Sequence, residues 1–294
     1  MNLSNLKNLL NQSKISYVDV GASKNILERW KKYRKFLHVY AFEPIYEEYI
    51  NLKSKTKDYD GFKLYNSALA DKNGFKKFYE VEGIYQSSFL KPDHKFVSKF
   101  PNPDRFKIKK IFRIYCKKFD SFKDNFDFIK IDVQGFNYNV LVGGKNKIKK
   151  TLAIEVEVEF VKIYRNQKLF EDTKKFLEEK NFIFLDFIDL RRWSNLRNNL
   201  FGRMIFGNAI FIMNPKKVIN NYNQFKKLII ILLIYNKLDL ALSLSKKLKT
   251  NDKIIIEKII RNKKIFWFVP KVFFSVVCRF MRIFNKNLDY TLFS

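Results

Sequence analysis

The chain has 294 residues, room for one large domain or a domain with an appendage. Aromatic residues make up 17% of it against only nine glycines and six prolines, which excludes a disordered or low-complexity protein, because that much apolar surface does not stay in water. The formal net charge of +29 attracts phosphates non-specifically, yet the excess is mostly Lys in an Asn-, Ile- and Phe-rich chain. Lys lacks the bidentate fork used for specific contacts, so no specific nucleic acid is expected.

Met1 to Leu10 is a short amphipathic stretch with neither a continuous apolar core nor a small-residue cleavage site, so it reads as a helix and not as a signal peptide. Cys116 and Cys278 lack CxxC spacing and suggest neither a disulfide framework nor a zinc site. Both features fit a cytoplasmic protein.

From Ser16 the pattern alternates. A buried strand over Ser16–Val20 is followed by a helix over Ile26–Arg34, a strand over Leu37–Phe42, a helix over Ile45–Lys55 and a third strand over Phe62–Asn66. Strand and helix lengths of this kind imply parallel strands with crossover helices on both faces, an α/β fold. Lys76–Glu80 reads as a strand after the Asn73-Gly74 turn, and Gly83–Asp104, with three of the prolines, as a long irregular insertion of the kind that forms lids. Further strands are expected at Ile111–Tyr115, Phe126–Ile131, Leu152–Val158, Phe182–Phe187 and Ala209–Met213, with a helix over Leu169–Lys180.

Beyond Asn214-Pro215 only helical patterns continue, over Phe225–Tyr235, Leu238–Leu248 and Lys253–Lys264. The expected division is therefore 1–215 and a helical extension over 216–294, which carries +13 of the net charge. Ile265–Phe284 is apolar and aromatic but broken by Pro270, Lys271, Arg279 and Arg282, too interrupted to span a membrane. It packs as a helix on its neighbours or on a second subunit of a homodimer, or it lies at a membrane surface with its basic residues reaching lipid phosphates, at the inner face.

Two strand ends carry the chemistry. Tyr17-Val-Asp19-Val-Gly21-Ala22 and Ile129-Lys130-Ile-Asp132-Val-Gln134-Gly135 each run from an apolar strand through a carboxylate and a glycine into a helical pattern. An open α/β sheet builds its ligand site beyond such ends. Glu43 closes the second strand about two dozen residues after the first glycine turn, where an acid accepts hydrogen bonds from ribose hydroxyls, or caps the helix starting at Pro44. Asp132, at the end of a central strand, is the candidate catalytic base, or a helix cap.

Glu155, Glu157 and Glu159 alternate along one strand and share a face, which is costly in an interior strand unless it opens into a polar cleft or binds cations. Glu155 and Glu157 are accordingly candidates to face the substrate, with Glu155 the alternative to Asp132 as catalytic base, and a divalent metal between Asp132 and Glu155 is an open option; an edge strand with one solvated face is the other reading. Ser87-Ser88, Tyr164 and Arg191-Arg192-Trp193, placed in loops, could contact a sugar-like acceptor.

With these motifs, residues Ser16 to Asn214 resemble the FkbM-type S-adenosylmethionine-dependent methyltransferases. The resemblance implies a Rossmann-like methyltransferase fold with a mostly parallel sheet. It assigns Asp19, Gly21 and Ala22 to the methionine part of S-adenosylmethionine and Ser67 and Ala68 to the adenine; Asp132 lies next to the cofactor, and Gln134, Glu157 and Ser88 are the candidates for the acceptor side. It implies O-methylation of a small-molecule or glycan hydroxyl. Relatives often carry glycine where this chain has Lys24-Asn25, and acids at Gln134 and Asn137. A non-catalytic binding protein on the same fold, its basic tail docked on membrane or nucleic acid, is the alternative. NAD chemistry fits poorly, since GxGxxG is absent.

Overall fold

The computed structural model describes residues 3–10, 13–22, 28–194 and 202–262. Two compact units are distinguished, 12–231 and a second made of 1–11 with 232–294; the division falls inside a helix, Tyr222–Ile234.

The larger unit is built on a seven-stranded sheet with the order β3-β2-β1-β7-β8-β10-β9. Its strands are β1 (Ile15–Val20), β2 (Leu37–Phe42), β3 (Phe62–Tyr65), β7 (Phe128–Ile131), β8 (Ala153–Glu159), β9 (Phe182–Trp193) and β10 (Arg203–Met213). The first five are parallel to one another, and β10 runs antiparallel to β8 and β9. Sequence order runs outward from β1 through β2 to β3 on one side and resumes with β7 on the other, so the sheet reverses between β1 and β7. Ligands of open α/β sheets bind at the carboxyl ends beside such a reversal.

A second, three-stranded sheet interrupts the first between β3 and β7, in the order β4-β6-β5, from β4 (Ala68–Ala70), β5 (Gly74–Val81) and β6 (Ile108–Lys118). β4 was not anticipated: three residues after a strand end carry too little periodicity to separate from a turn. Its residues Ala68 and Ala70 are buried with Cys116 and Phe136.

The helices, in chain order, are α1 (Leu3–Leu10), α2 (Glu28–Lys31), α3 (Tyr46–Thr56), α4 (His94–Val97), α5 (Asn137–Gly143), α6 (Lys145–Ile148), α7 (Phe170–Glu178), α8 (Pro215–Val218), α9 (Tyr222–Ile234) and α10 (Leu238–Ser245). A further helix covers 250–262. In the smaller unit α1 buries Leu6 and Leu9, and the helix over 250–262 buries Ile256, Ile259 and Ile260. No helix among the described residues is long and apolar enough to cross a membrane. Ile265–Phe284 and Cys278 lie outside the described residues.

Two sequence expectations are corrected and one alternative falls. Gly83–Asp104 is not an irregular lid but a packed wall, with short helices at Ile84–Gln86 and α4. Backbone bonds tie it to β5 (Tyr79 N to Ser88 O, 2.8 Å) and to the segment after β8 (Asp93 N to Ile163 O and Arg165 N to Lys91 O, each 2.8 Å), and Val97 and Phe106 are buried with Ile163 and Tyr164. Distant partners supply the hydrogen bonds that the local sequence lacks. Arg191-Arg192-Trp193 lies within β9, which pairs with β10 through Arg203↔Trp193. Residues 152–158 form no edge strand: β8 sits between β7 and β10 and is buried on both faces.

Candidate cofactor cleft

At the reversal between β1 and β7 the strand ends are locked to each other. Gly21 N and Ala22 N donate to Phe42 O at 3.1 and 3.2 Å, Asp132 N donates to Val20 O at 3.0 Å, and Glu43 N to Tyr65 O at 3.1 Å. Gly21 has φ +85, and a Cβ there would run into the Asp132 carbonyl, so only glycine lets the turns after β1 and β7 approach this closely. After Asp132 the backbone reverses through two consecutive left-handed residues, Gln134 (φ 50) and Gly135 (φ 77). A left-handed non-glycine at such a turn is uncommon, and here its carbonyl is held by Ser88 Oγ at 2.6 Å.

Register then writes a row of charge. Asp19 pairs with Lys130 across β1 and β7, and Lys130 with Glu155 across β7 and β8, so the three side chains share one face. Lys130 Nζ stands 3.3 Å from Asp19 Oδ1 and 3.4 Å from Asp132 Oδ2, and Glu155 meets Arg29 at 3.9 Å. Beneath the row lie the stacked rings of Tyr17 and Phe128, with Trp30 4.8 Å from Phe128. This apolar floor makes unpaired charge expensive. Burial raises the Asp19 carboxyl against the pull of Lys130. Burial works against the ammonium too, but Asp19 and Asp132 more than offset it and hold Lys130 above its ordinary value.

Lys130 thus stands where a cation between acids was considered. Among the described residues no group of three or more His, Cys, Asp or Glu side chains could hold a metal ion. Asp132 is the acid of this row with an open side, its side chain 30% exposed, and Gln134 Nε2 donates to it at 3.2 Å. Glu157 and Glu159 lie deeper in the wall: burial, with Asp132 next, raises both, Glu159 to about 8. Glu43 is buried, accepts from Ile45 N at 2.9 Å, and is pushed by burial up to about 7. Both sequence readings of Glu43 are compatible with this geometry, since one oxygen meets the backbone after Pro44.

Asn66 Nδ2 donates to the carbonyls of Glu43 and Pro44 at 3.0 and 3.2 Å and fixes the end of β2. Ser67 is half-buried, and Ala68 begins β4 against Phe136, with Val133 packed on the same cluster. The structure thus brings Asp19, Gly21, Ala22, Glu43, Asp132, Gln134, Ser88 and Glu155 to one end of the parallel strands. Lys24-Asn25 lies outside the described residues. Sequence reasoning gave no role to Lys130, Arg29 or Asn137, and it placed Tyr164 as an acceptor contact in a loop. Asn137 Oδ1 caps the turn through Val133 N at 2.8 Å, and the buried Tyr164 hydroxyl donates to Gln86 O at 2.9 Å. Only for Lys130 was there a signal, its period-two spacing from Asp132, and it acquires meaning through strand pairing.

An open sheet with this strand order and a carboxylate-lined cleft at its reversal defines a Rossmann-like methyltransferase fold. The chain belongs to the FkbM methyltransferase family: the profile of the Methyltransferase FkbM domain matches residues 19–184, more than half of the chain. Among solved structures it is similar to methyltransferase FkbM from Methylobacillus flagellatus KT, at 14% identity over 68% of this chain and 44% of that one, with a TM-score of 0.41. The chain therefore spans less than half the length of that protein. It is also similar to magnesium protoporphyrin IX methyltransferase from Synechocystis, determined with bound SAM, at 8% identity over 72% of this chain and 77% of that one, TM-score 0.38. An N-methyltransferase from Bradyrhizobium japonicum, in complex with S-adenosyl-L-homocysteine, matches at 9% identity over 71% and 84%, TM-score 0.37. No curated protein matches the chain.

Proposed function

We propose that the protein is an S-adenosylmethionine-dependent O-methyltransferase, acting in the cytoplasm on a hydroxyl of a saccharide or secondary metabolite. The observation that carries this reading is the Asp19–Lys130–Asp132 cluster at the strand reversal, in the open mouth of a family-matched sheet. The donor set fits the cofactor: the three acids Asp19, Asp132 and Glu155 outnumber the two cations Lys130 and Arg29 on the face where a sulfonium would lie. Gly21 leaves no Cβ between that face and the β1 turn. Glu43 stands at the end of β2, where ribose hydroxyls need an acceptor.

S-adenosylmethionine, when bound, supplies a methyl group on a positively charged sulfur. The chain's own groups do the rest. Asp132 would accept the proton of the acceptor hydroxyl, whose oxygen would take the methyl group that a bound cofactor would supply before departing as S-adenosylhomocysteine. Lys130 and the Gln134 amide hold Asp132 in place, so that its exposed side faces the acceptor. A weak base suffices, because much of the rate comes from holding the reactants in line. Glu155, steadied by Arg29, closes the inner side of the cleft. Ser88 and Gln134, joined by a hydrogen bond, form the rim that an acceptor would meet.

The test is calorimetric titration with S-adenosylmethionine and S-adenosylhomocysteine on the wild-type protein and on Glu43→Ala. Binding that weakens at least tenfold in the variant, about 1.4 kcal/mol, is the expected result. Absence of binding by folded protein would overturn it in favour of a non-catalytic role.

A further inference from the structure

The small sheet has one covered face and one open face. On the covered face Phe78, Phe112, Phe89 and Phe136 pack in a chain of ring contacts, with centroids 5.1 to 5.4 Å apart. The open face is built in rows by the register of β5 and β6. Phe75 lies opposite Tyr115, Lys77 opposite Arg113, and Tyr79 opposite Ile111. Phe75, Tyr115 and Ile111 are 61%, 48% and 53% exposed, among the largest exposures of any apolar side chains described.

The middle row is unfavourable for folding. Two like charges directly opposite on an antiparallel pair repel, and neither Lys77 nor Arg113 has an acidic partner among the described residues. Apolar rows flank this cationic one, with Phe75 and Tyr115 edge to face at 5.2 Å and Arg113 5.8 Å from the Phe75 ring. Beyond Tyr115 the face continues at Lys117 into a cleft of about 450 Å³ lined also by Tyr65, Lys63, Phe122 and Lys123. Its one acid, Asp124, is engaged by Lys63 and Tyr65.

We propose that this face and its cleft bind single-stranded nucleic acid without reading its sequence. Bases stack on Phe75 and Tyr115, while Lys77, Arg113 and Lys117 neutralise phosphates, the pairing of π-faces with a cationic track that single strands require. The alternation decides among polyanions. A sugar chain needs free amide or carboxylate side chains for its hydroxyls; the rows contain none, and in the cleft Asn73 Oδ1 already accepts from Lys118 N at 2.7 Å and Asp124 from Lys63 and Tyr65. A membrane surface selects elements with apolar and basic residues on opposite sides, whereas here they alternate row by row. The proposal stands independently of the methyltransferase reading, since Phe75, Tyr115, Lys77, Arg113 and Lys117 have no part in the cofactor cleft.

The experiment is fluorescence anisotropy of labelled single-stranded DNA and unstructured RNA with the full chain, without cofactor, at low and moderate salt. A duplex of equal length and phosphatidylserine vesicles serve as comparisons. Phe75→Ala with Tyr115→Ala is expected to weaken single-strand binding about tenfold or more and leave duplex binding unchanged. Lys77→Gln with Arg113→Gln is expected to lower the slope of log affinity against log salt by roughly 1.4, at about 0.7 per phosphate lost. These side chains are exposed, and unchanged circular dichroism establishes that each variant folds; the charge pair tests the face even if the aromatic pair misfolds. Single strands bound no better than duplex, unchanged affinity in both double variants, or binding to vesicles alone would each overturn the proposal.

Discussion

The cofactor cleft and the open face of the small sheet use the same cations in opposite ways. In the cleft Lys130 is buried between Asp19 and Asp132, over a floor of aromatic rings. On the open face Lys77 and Arg113 oppose each other in water, beside rings that cover nothing. A buried pair is worth little against an apolar replacement but is costly to break, because the remaining charge is stranded; an exposed like-charge pair costs only tenths of a kcal/mol. In a protein with so many lysines the count therefore says little, and the partner each one has, or lacks, carries the information.

The largest expected effect breaks the cleft at its open acid. Asp132→Asn should lower turnover by about 10²- to 10⁴-fold, the usual worth of a general base, with cofactor affinity reduced far less than turnover. Near-normal rates in that variant would remove Asp132 from the base role. Lys130→Met should cost about 3–5 kcal/mol in urea unfolding, since it strands the buried Asp19, while Lys130→Arg should cost less. If Met is tolerated as well as Arg, the row is not held by its charge.

Glu43 supplies a pH signature. Its folded value of about 7 lies above the ordinary 4.5, so the native state keeps a proton that the unfolded chain releases. Its contribution is complete below pH 4.5 and is lost as pH rises through about 7, a fall of about 3 kcal/mol at 1.36 kcal/mol per unit. Glu43→Gln should flatten that part of the stability profile measured by thermal unfolding between pH 4.5 and 8. Cofactor affinity should run the other way, weakening by up to about tenfold per unit below pH 7 as the acceptor carboxylate is protonated.

The smallest effect sharpens the comparison from the other side. Lys77→Glu turns a repulsive cross-strand pair into an attractive one and should stabilise the fold by about 0.2–1 kcal/mol in the same unfolding assay. A stabilised variant with weaker single-strand binding would mean that the open face keeps its cations at a cost to folding.

Much of the main sheet was legible in the sequence because its central strands β1, β7 and β8 are buried almost throughout and read as short apolar runs between glycine, proline and acidic punctuation. Leu37–Phe42 was expected and found with the same bounds, and Asp19, Glu43 and Asp132 were placed at strand ends by the same punctuation. β4 and the packing of Gly83–Asp104 were not legible, since short segments satisfied by partners dozens of residues away leave no local period.

By itself the sequence determined where the strands of the main sheet lie, that Asp19, Glu43 and Asp132 stand at strand ends, and that carboxylates gather there, because alternation and turn chemistry are local properties of the chain. Tertiary structure alone decided that Lys130 stands between Asp19 and Asp132, that Glu155 faces Arg29, and that Lys77 meets Arg113 across an open face. Those outcomes depend on strand order and register, and register pairs residues that are far apart along the chain through hydrogen bonds indifferent to side-chain identity.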